Sequence, residues 1–145
     1  MNAFERRVRA SVYASFRDRA MPSSIGELSG LLGASHVEVT SALHSLAAEH
    51  CVVLVPGTES IWMAHPLSGV DTDFLVTIGD RRWFANCAWD GLSILALLGD
   101  GSLDTHSPAN GQPIRFELSE GIVRGEGIVH FLVPARRFWD DIGYT

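Results

Sequence analysis

The sequence predicts an α+β fold, a helical unit followed by a small mixed or antiparallel sheet packed on one central helix. Three observations carry this prediction. Apolar residues recur at helical spacing over the first 50 residues, short β-rich runs separated by glycine turns follow His65-Pro66, and one apolar stretch inside the second part is long enough for a helix. With 145 residues, 46% of them hydrophobic, the chain can bury a core without disulfides. The predicted division is 1–66 and 67–145.

The N-terminal unit is predicted to contain three helices and a β-hairpin. The first helix shows apolar residues every fourth position, at Phe4, Val8, Val12 and Phe16. Ser24 and Ser35 each precede a glutamate by three residues, the spacing of a capping box that opens a helix. Residues 51–55 and 61–64 then flank a Pro-Gly turn and predict a hairpin. Three helices and a hairpin make the unit winged-helix-like.

The second unit is predicted to alternate strands with glycine turns around a single helix. Residues 74–78 and 82–85 flank a Gly-Asp pair that suits a tight hairpin turn. Residues 88–98 are apolar at helical spacing and end at Gly99, which predicts a largely buried helix. Residues 114–118 and 128–133 are predicted as further strands, separated by glycine-rich turns.

Charge and composition bear on the class of function. All eleven basic residues are arginines, and five of them fall in the first 20 positions, so the remaining chain carries six arginines against fifteen acids. That balance opposes a phosphate backbone. The predicted recognition helix, about residues 36–49, has no Arg or Lys, so a winged-helix DNA-binding regulator would lack its usual donors. No apolar run approaches the roughly 20 residues of a membrane helix, and we expect a cytoplasmic protein with free thiols.

The most informative residues are Cys87 and Asp90, where a predicted strand meets the start of the central helix. Unpaired backbone N–H groups and the helix dipole favour a thiolate there, and a thiolate binds soft metals. Asp90 returns to the same face of the first turn. A soft ligand beside a proton carrier is what protonolysis of a carbon–metal bond requires. The spacing alone leaves open a small buried cysteine and an aspartate that merely favours the helix start.

The stretch 83–99 resembles the core signature of the organomercurial (alkylmercury) lyases, in which an aromatic strand precedes Cys-x-x-Asp, an apolar helix and an Ala-Leu-Leu/Ile-Gly ending. Residues 105–113 look like the family segment that leads to Gly-x-Pro. The resemblance implies that Cys87 and Asp90 are catalytic, with mercury held transiently by Cys87 as part of the substrate. It further implies no cofactor beyond assisting external thiols, and a helical unit that serves packing rather than DNA binding.

The sequence departs from the family pattern at the second thiol. The resemblance implies a second catalytic cysteine well downstream, near Thr145, yet no cysteine follows Cys87, and Ser107 stands where a further family cysteine often occurs. Cys51 matches no catalytic position, and we expect it to pack as a small apolar residue. Either the sequence is a shortened form or it is a divergent member. A single thiol with one carboxylate predicts a weak lyase or a thiol-based binder of metals or small ligands.

Further residues are candidates for the surroundings of this site. Trp83, Trp89 and His106 are predicted to line a pocket for a hydrocarbon or aryl group, although tryptophans are as often plain core. His65, His106 and His130 lack the spacing of a compact zinc motif, so we expect ordinary turn or strand histidines. The expected partner is a small organometallic or electrophilic molecule, with neither nucleic acid nor membrane.

Overall fold

The computed structural model describes residues 1–143, and its first part contains three helices: α1 (Ala3–Arg19), α2 (Ile25–Leu32) and α3 (His36–Ala48). Both predicted capping boxes are present at Ser24 and Ser35, and a third, which was not predicted, opens α1 at Asn2. In each box the cap side chain accepts a backbone N–H while a glutamate three residues on binds back. None of the helices in residues 1–143 has both the length and the apolar character needed to cross a membrane.

The strands form one antiparallel sheet that runs through both predicted units. They are β1 (Val53–Leu54), β2 (Ile61–Ala64), β3 (Leu67–Ser68), β4 (Leu75–Ile78), β5 (Arg81–Ala85), β6 (Gly101–His106), β7 (Pro113–Ser119) and β8 (Ile122–Arg124). Their order across the sheet is β1-β2-β3-β5-β4-β6-β7-β8. The predicted α+β class is therefore confirmed, and the N-terminal hairpin is joined to the second unit through β3, which pairs with both β2 and β5.

Helix α4 (Ala88–Leu98) lies between β5 and β6 in the chain and contacts strands β4 to β7. Its Ile94 and Leu95 are buried, but Trp89 is 57% exposed and Leu97 71% exposed. The prediction of a helix was correct, whereas the prediction that it is largely buried was wrong. One face of α4 lies against the sheet, and Trp89 on its first turn contacts Phe131 of the C-terminal segment.

A single apolar core links the helical unit to the sheet. Val8, Val12 and Phe16 of α1 and Val76 and Trp83 of the sheet belong to the same buried cluster. Trp83 Nε1 donates a hydrogen bond of 2.7 Å to the Phe16 carbonyl. Sheet and helices are thus held by burial together with a specific polar contact.

The last part of the chain differs most from the prediction. Residues 128–133 form no strand, and Ile128 is 93% exposed. A strand needs a neighbour for its backbone groups, whereas this segment leaves the sheet after β8 and its Phe131 packs against Trp89 of α4. A 3₁₀ helix (Ala135–Asp140) follows. Strands β3, β6 and β8 and this 3₁₀ helix were not predicted; β3 and β8, of two and three residues, are too short to leave a periodic pattern.

Candidate active site

Cys87 lies between the end of strand β5 and the start of helix α4, as the sequence predicts. It is the N-cap residue of α4, with an extended backbone, and its Sγ accepts a hydrogen bond from the backbone N–H of Asp90 at 3.4 Å. The side chain is neither fully buried nor fully exposed. The sulfur therefore occupies the position that an Asn, Asp or Ser oxygen usually takes at a helix start.

Burial raises the pKa of the Cys87 thiol above its ordinary value. The backbone N–H groups of Asp90 and Trp89 act in the opposite direction, and the negative charge of Asp90 adds to the rise. The expectation that the helix start favours the thiolate is therefore corrected, because desolvation penalises the charged form more strongly. At neutral pH the resting residue is a thiol, which brings its own proton into the site.

Asp90 lies on the first turn of α4, and its carboxyl group contacts two polar side chains from outside the helix. Its Oδ2 accepts a hydrogen bond from Asn86 Nδ2 at 2.9 Å and lies 3.4 Å from His65 Nδ1. Asn86 Nδ2 and His65 Nδ1 are themselves 3.4 Å apart. The Asp90 side chain is only 17% exposed. The carboxyl group is consequently confined among polar partners rather than free in solvent.

Strand order explains how His65 and Asn86 meet. His65 directly follows Ala64 of β2, and Asn86 directly follows Ala85 of β5. Leu67 of β3 pairs with both Ala64 and Ala85, so the ends of β2 and β5 lie on either side of one residue. The two polar side chains thus reach the start of α4 from positions 21 residues apart in the sequence.

The sequence predicts His65 to be an ordinary turn or strand histidine rather than a metal ligand, and it does not single out Asn86. Asn86 is adjacent to the cysteine, and that adjacency was the one available signal. The role of His65 depends on the pairing of β2 with β3, a two-residue strand that the sequence pattern does not reveal. Among residues 1–143, no group of three His, Cys, Asp or Glu side chains is placed to hold a metal ion.

The three residues predicted to line a substrate pocket lie in different environments. Trp83 is buried in the core, 4% exposed, so its assignment to the pocket is corrected to a structural residue. Trp89 is exposed beside Asp90, and its ring meets Phe131 edge-on at 6.4 Å. His106 ends β6 and is exposed. Its strand finishes at the same sheet end as β5, because Leu75 pairs with both Phe84 and Asp104.

The C-terminal segment passes beside the start of α4. Trp89, Phe131 and Phe138 line an apolar concavity of about 590 Å³. Further along, the ring of Trp139 stacks on His50 at 3.9 Å and meets His65 edge-on at 5.8 Å. Cys51 is half-buried against the core, as expected for a small apolar residue.

Comparison with known proteins identifies the family of this chain. A family model described as alkylmercury lyase (MerB) matches residues 67–145. The chain belongs to the alkylmercury lyase family. It is also similar to a crystal structure of the mercury-bound form of MerB2, with 23% identity and a TM-score of 0.68. That similarity covers 86% of this chain and 60% of the other, so the chain spans about 60% of that protein's length. No curated protein matches the chain.

The alkylmercury lyase match begins at Leu67 and includes Asn86, Cys87 and Asp90, while His65 lies two residues before it. The likeness of fold to the MerB2 structure extends into the helical part, because it covers 86% of the chain. The position near Tyr144 and Thr145 where the resemblance implies a second cysteine lies outside the described residues.

Proposed function

We propose that this chain acts on organomercury compounds by protonolysis of the carbon–mercury bond, with Cys87 as mercury ligand and Asp90 as proton carrier. The observation that supports the proposal is the placement of a thiol and a carboxyl group on one helical turn, with the Asp90 N–H bound to the Cys87 sulfur. Membership of the alkylmercury lyase family supports the substrate class.

The proton that this reaction consumes can come from the thiol of Cys87 and pass through Asp90. An organomercury cation R–Hg⁺ binds the sulfur as the thiol gives its proton to the Asp90 carboxylate, which leaves Cys87–S–Hg–R and a neutral carboxyl group. Asp90 then delivers that proton to carbon, and the electron pair of the C–Hg bond forms the C–H bond of the released hydrocarbon. Mercury remains divalent as Cys87–S–Hg⁺, and the carboxylate is restored. Two external thiols remove the mercury as a dithiolate, returning one proton to Cys87 and releasing one.

The raised pKa of Cys87 suits the first of these steps. A sulfur that rests as the thiol carries the proton that the carbon will later receive. Mercury is a soft ion that displaces a proton from sulfur readily, so a high thiol pKa does not prevent binding. Asp90 lies within the same turn and its charge acts on the sulfur, so we assign it as the base that receives the thiol proton.

The organic part of the substrate has a suitable environment beside Trp89. The concavity between Trp89 and the C-terminal segment has a volume of about 590 Å³ and an apolar lining that includes Phe131 and Phe138. Volumes of this size accommodate small organic ligands. We propose that a phenyl or alkyl group on mercury lies against these rings, with Trp89, two residues after Cys87, as the lining residue nearest to the thiol in the sequence.

A second candidate function is thiol-based capture of mercury or another soft electrophile without turnover. The observation in its favour is that, among residues 1–143, Cys87 is a free thiol and no group of three His, Cys, Asp or Glu side chains is placed to hold a metal ion. Mercury bound by a single protein thiol receives less electron density from sulfur than mercury bound by two. Capture without release of hydrocarbon is the outcome that this candidate predicts.

A DNA-binding role is less well supported by the fold. The β1–β2 hairpin, which would be the wing, is paired along β2 with β3 and so belongs to the central sheet. α3 carries no Arg or Lys. Salt-dependent DNA affinity usually rests on such cations.

The experiment is headspace detection of benzene from a phenylmercury salt with excess external thiol. Cys87→Ser and Asp90→Asn are expected to abolish release, while Cys51→Ser, the matched cysteine control, retains it. Intact-mass measurement of the phenylmercury adduct reports capture separately, and the adduct should persist in Asp90→Asn and disappear in Cys87→Ser. Benzene release that survives in Cys87→Ser would refute the proposal, and capture without release in the unmodified protein would favour the second candidate.

A further inference from the structure

The two oxygens of the Asp90 carboxyl group have different surroundings. Oδ2 faces both Asn86 Nδ2, at 2.9 Å, and His65 Nδ1, at 3.4 Å. The hydrogen bonds made to this carboxyl group by the described residues reach Oδ2 alone, and Oδ1, unlike the buried carbonyl oxygen of Asn86, stays in contact with solvent. The protein therefore distinguishes two atoms that are chemically equivalent in a free carboxylate.

From this difference we infer that Asn86 and His65 are positioning residues that fix Oδ2, so that Oδ1 is the oxygen that carries the proton between Cys87 and the leaving carbon. The inference rests on the proposed function. An amide nitrogen only donates hydrogen bonds. A proton on Oδ2 that points at Asn86 Nδ2 would therefore place two donors against each other, so Oδ2 cannot carry the transferred proton on that side. Once Oδ2 is held by hydrogen bonds, rotation of the carboxyl group about its bond to Cβ is largely prevented.

The orientation of Asn86 is set by its surroundings. Its carbonyl oxygen is buried and has no partner among the described residues, while its amide nitrogen contacts the carboxylate. The reverse orientation would place two oxygens against each other, so the donor must face Asp90. A buried carbonyl without a partner is unfavourable, which indicates that the contact with Asp90 determines how this side chain is placed.

His65 is restrained from several directions. Its carbonyl accepts a hydrogen bond from the Tyr13 hydroxyl at 3.1 Å, and Trp139 meets its ring edge-on at 5.8 Å. Its Nε2 is buried without a partner among the described residues. Nδ1 is thus the ring atom that reaches a polar group, and it reaches Asp90 Oδ2. With its proton on Nδ1, the tautomer in which this nitrogen donates, His65 adds a second restraint on the same oxygen.

The test compares Asn86→Ala, His65→Ala and His65→Asn, since the asparagine amide can occupy the place of Nδ1. The matched control is His44→Asn on the exposed face of α3. In single-turnover experiments, we expect benzene release to slow about 10- to 100-fold in the two alanine variants, because small misplacements of a reacting group have effects of this size. The amount of phenylmercury adduct should stay within about twofold of that of the unmodified protein, since these variants leave the Cys87 thiol that binds mercury unchanged. His65→Asn should recover most of the loss.

Release that is unchanged in both alanine variants would overturn the inference, and equal loss in His65→Asn and His65→Ala would overturn it for His65. If Asn86→Ala does not fold, the His65 pair decides alone. If the unmodified protein captures phenylmercury but releases no benzene, the proposed function fails, and the ¹³C resonance of the Asp90 carboxyl then decides the positioning. That resonance should shift in the alanine variants, return toward its original position in His65→Asn and stay in place in His44→Asn; an unmoved resonance refutes the positioning.

Discussion

Gly91, the residue after Asp90, offers a direct test of how α4 is seated on the sheet. A Cβ added at this position would lie 2.6 Å from Leu103 Cδ1 and 2.8 Å from Cδ2. Leu103 is fully buried on β6, so it cannot swing into solvent to make room. Gly91→Ala must therefore push α4 away from the sheet or distort the leucine.

Two effects of opposite sign decide the size of the change. Replacing glycine by alanine inside a helix stabilises a protein by about 0.5–1 kcal/mol, whereas overpacking a buried contact costs about 1–3 kcal/mol. We expect a net destabilisation of about 1–2 kcal/mol. The matched control is Gly30→Ala in α2, where an added Cβ meets no atom within 4 Å, and there we expect a gain of about 0.5–1 kcal/mol.

Urea unfolding measures both variants, with the midpoint shifting and the slope unchanged. Leu103→Val removes the two methyl groups that the new Cβ would meet, so Gly91→Ala should cost less in that background, with a coupling of at least about 0.5 kcal/mol. The reasoning is refuted if Gly91→Ala is as stabilising as Gly30→Ala. It also fails if Leu103→Val leaves the cost of Gly91→Ala unaltered, because the clash would then lie elsewhere.

Three further predictions follow from the contacts described. Because burial and the charge of Asp90 raise the pKa of Cys87, the pH at which iodoacetamide labels Cys87 at half its maximal rate should be higher than for a free thiol such as glutathione, and Asp90→Asn should lower that pH. Trp83→Phe should lower unfolding free energy by about 1–3 kcal/mol in urea yet leave phenylmercury capture unchanged, and lost capture would contradict its place in the core. Ser35→Ala should lower the free energy of unfolding by about 1 kcal/mol. Because the hydrogen bonds from Ser35 lower the pKa of Glu38, the full loss of stability should be seen above the ordinary pKa of glutamate. The loss should shrink as the pH falls through the lowered pKa of Glu38, which urea unfolding at acidic pH can check.

The sequence predicts the parts of the fold that local rules determine. The capping boxes at Ser24 and Ser35 and the change from strand to helix at Cys87 depend on neighbouring residues only, and the structure agrees with each. The placement of Cys87 and Asp90 on one turn follows from helical spacing alone. Predictions of this kind need no knowledge of the tertiary fold.

Other features depend on long-range pairing and were missed or wrong. The contact of His65 with Asp90 requires β3 to lie between β2 and β5, and a strand of two residues leaves no periodic pattern. Residues 128–133 are an apolar run rich in β-branched and aromatic residues, which predicts a strand, but they have no strand neighbour in the fold. The pKa of Cys87 was expected in the wrong direction, because the sequence shows the helix start but not the extent of burial.

The sheet that runs unbroken from β1 to β8 has a consequence for dissecting this protein. A fragment starting at Leu67, where the family match begins, would expose the backbone of β3 that now pairs with β2. Uncovered strand edges invite edge-to-edge association. The same cut would also remove His65, so the chemistry assigned to the second half depends on a side chain supplied by the first.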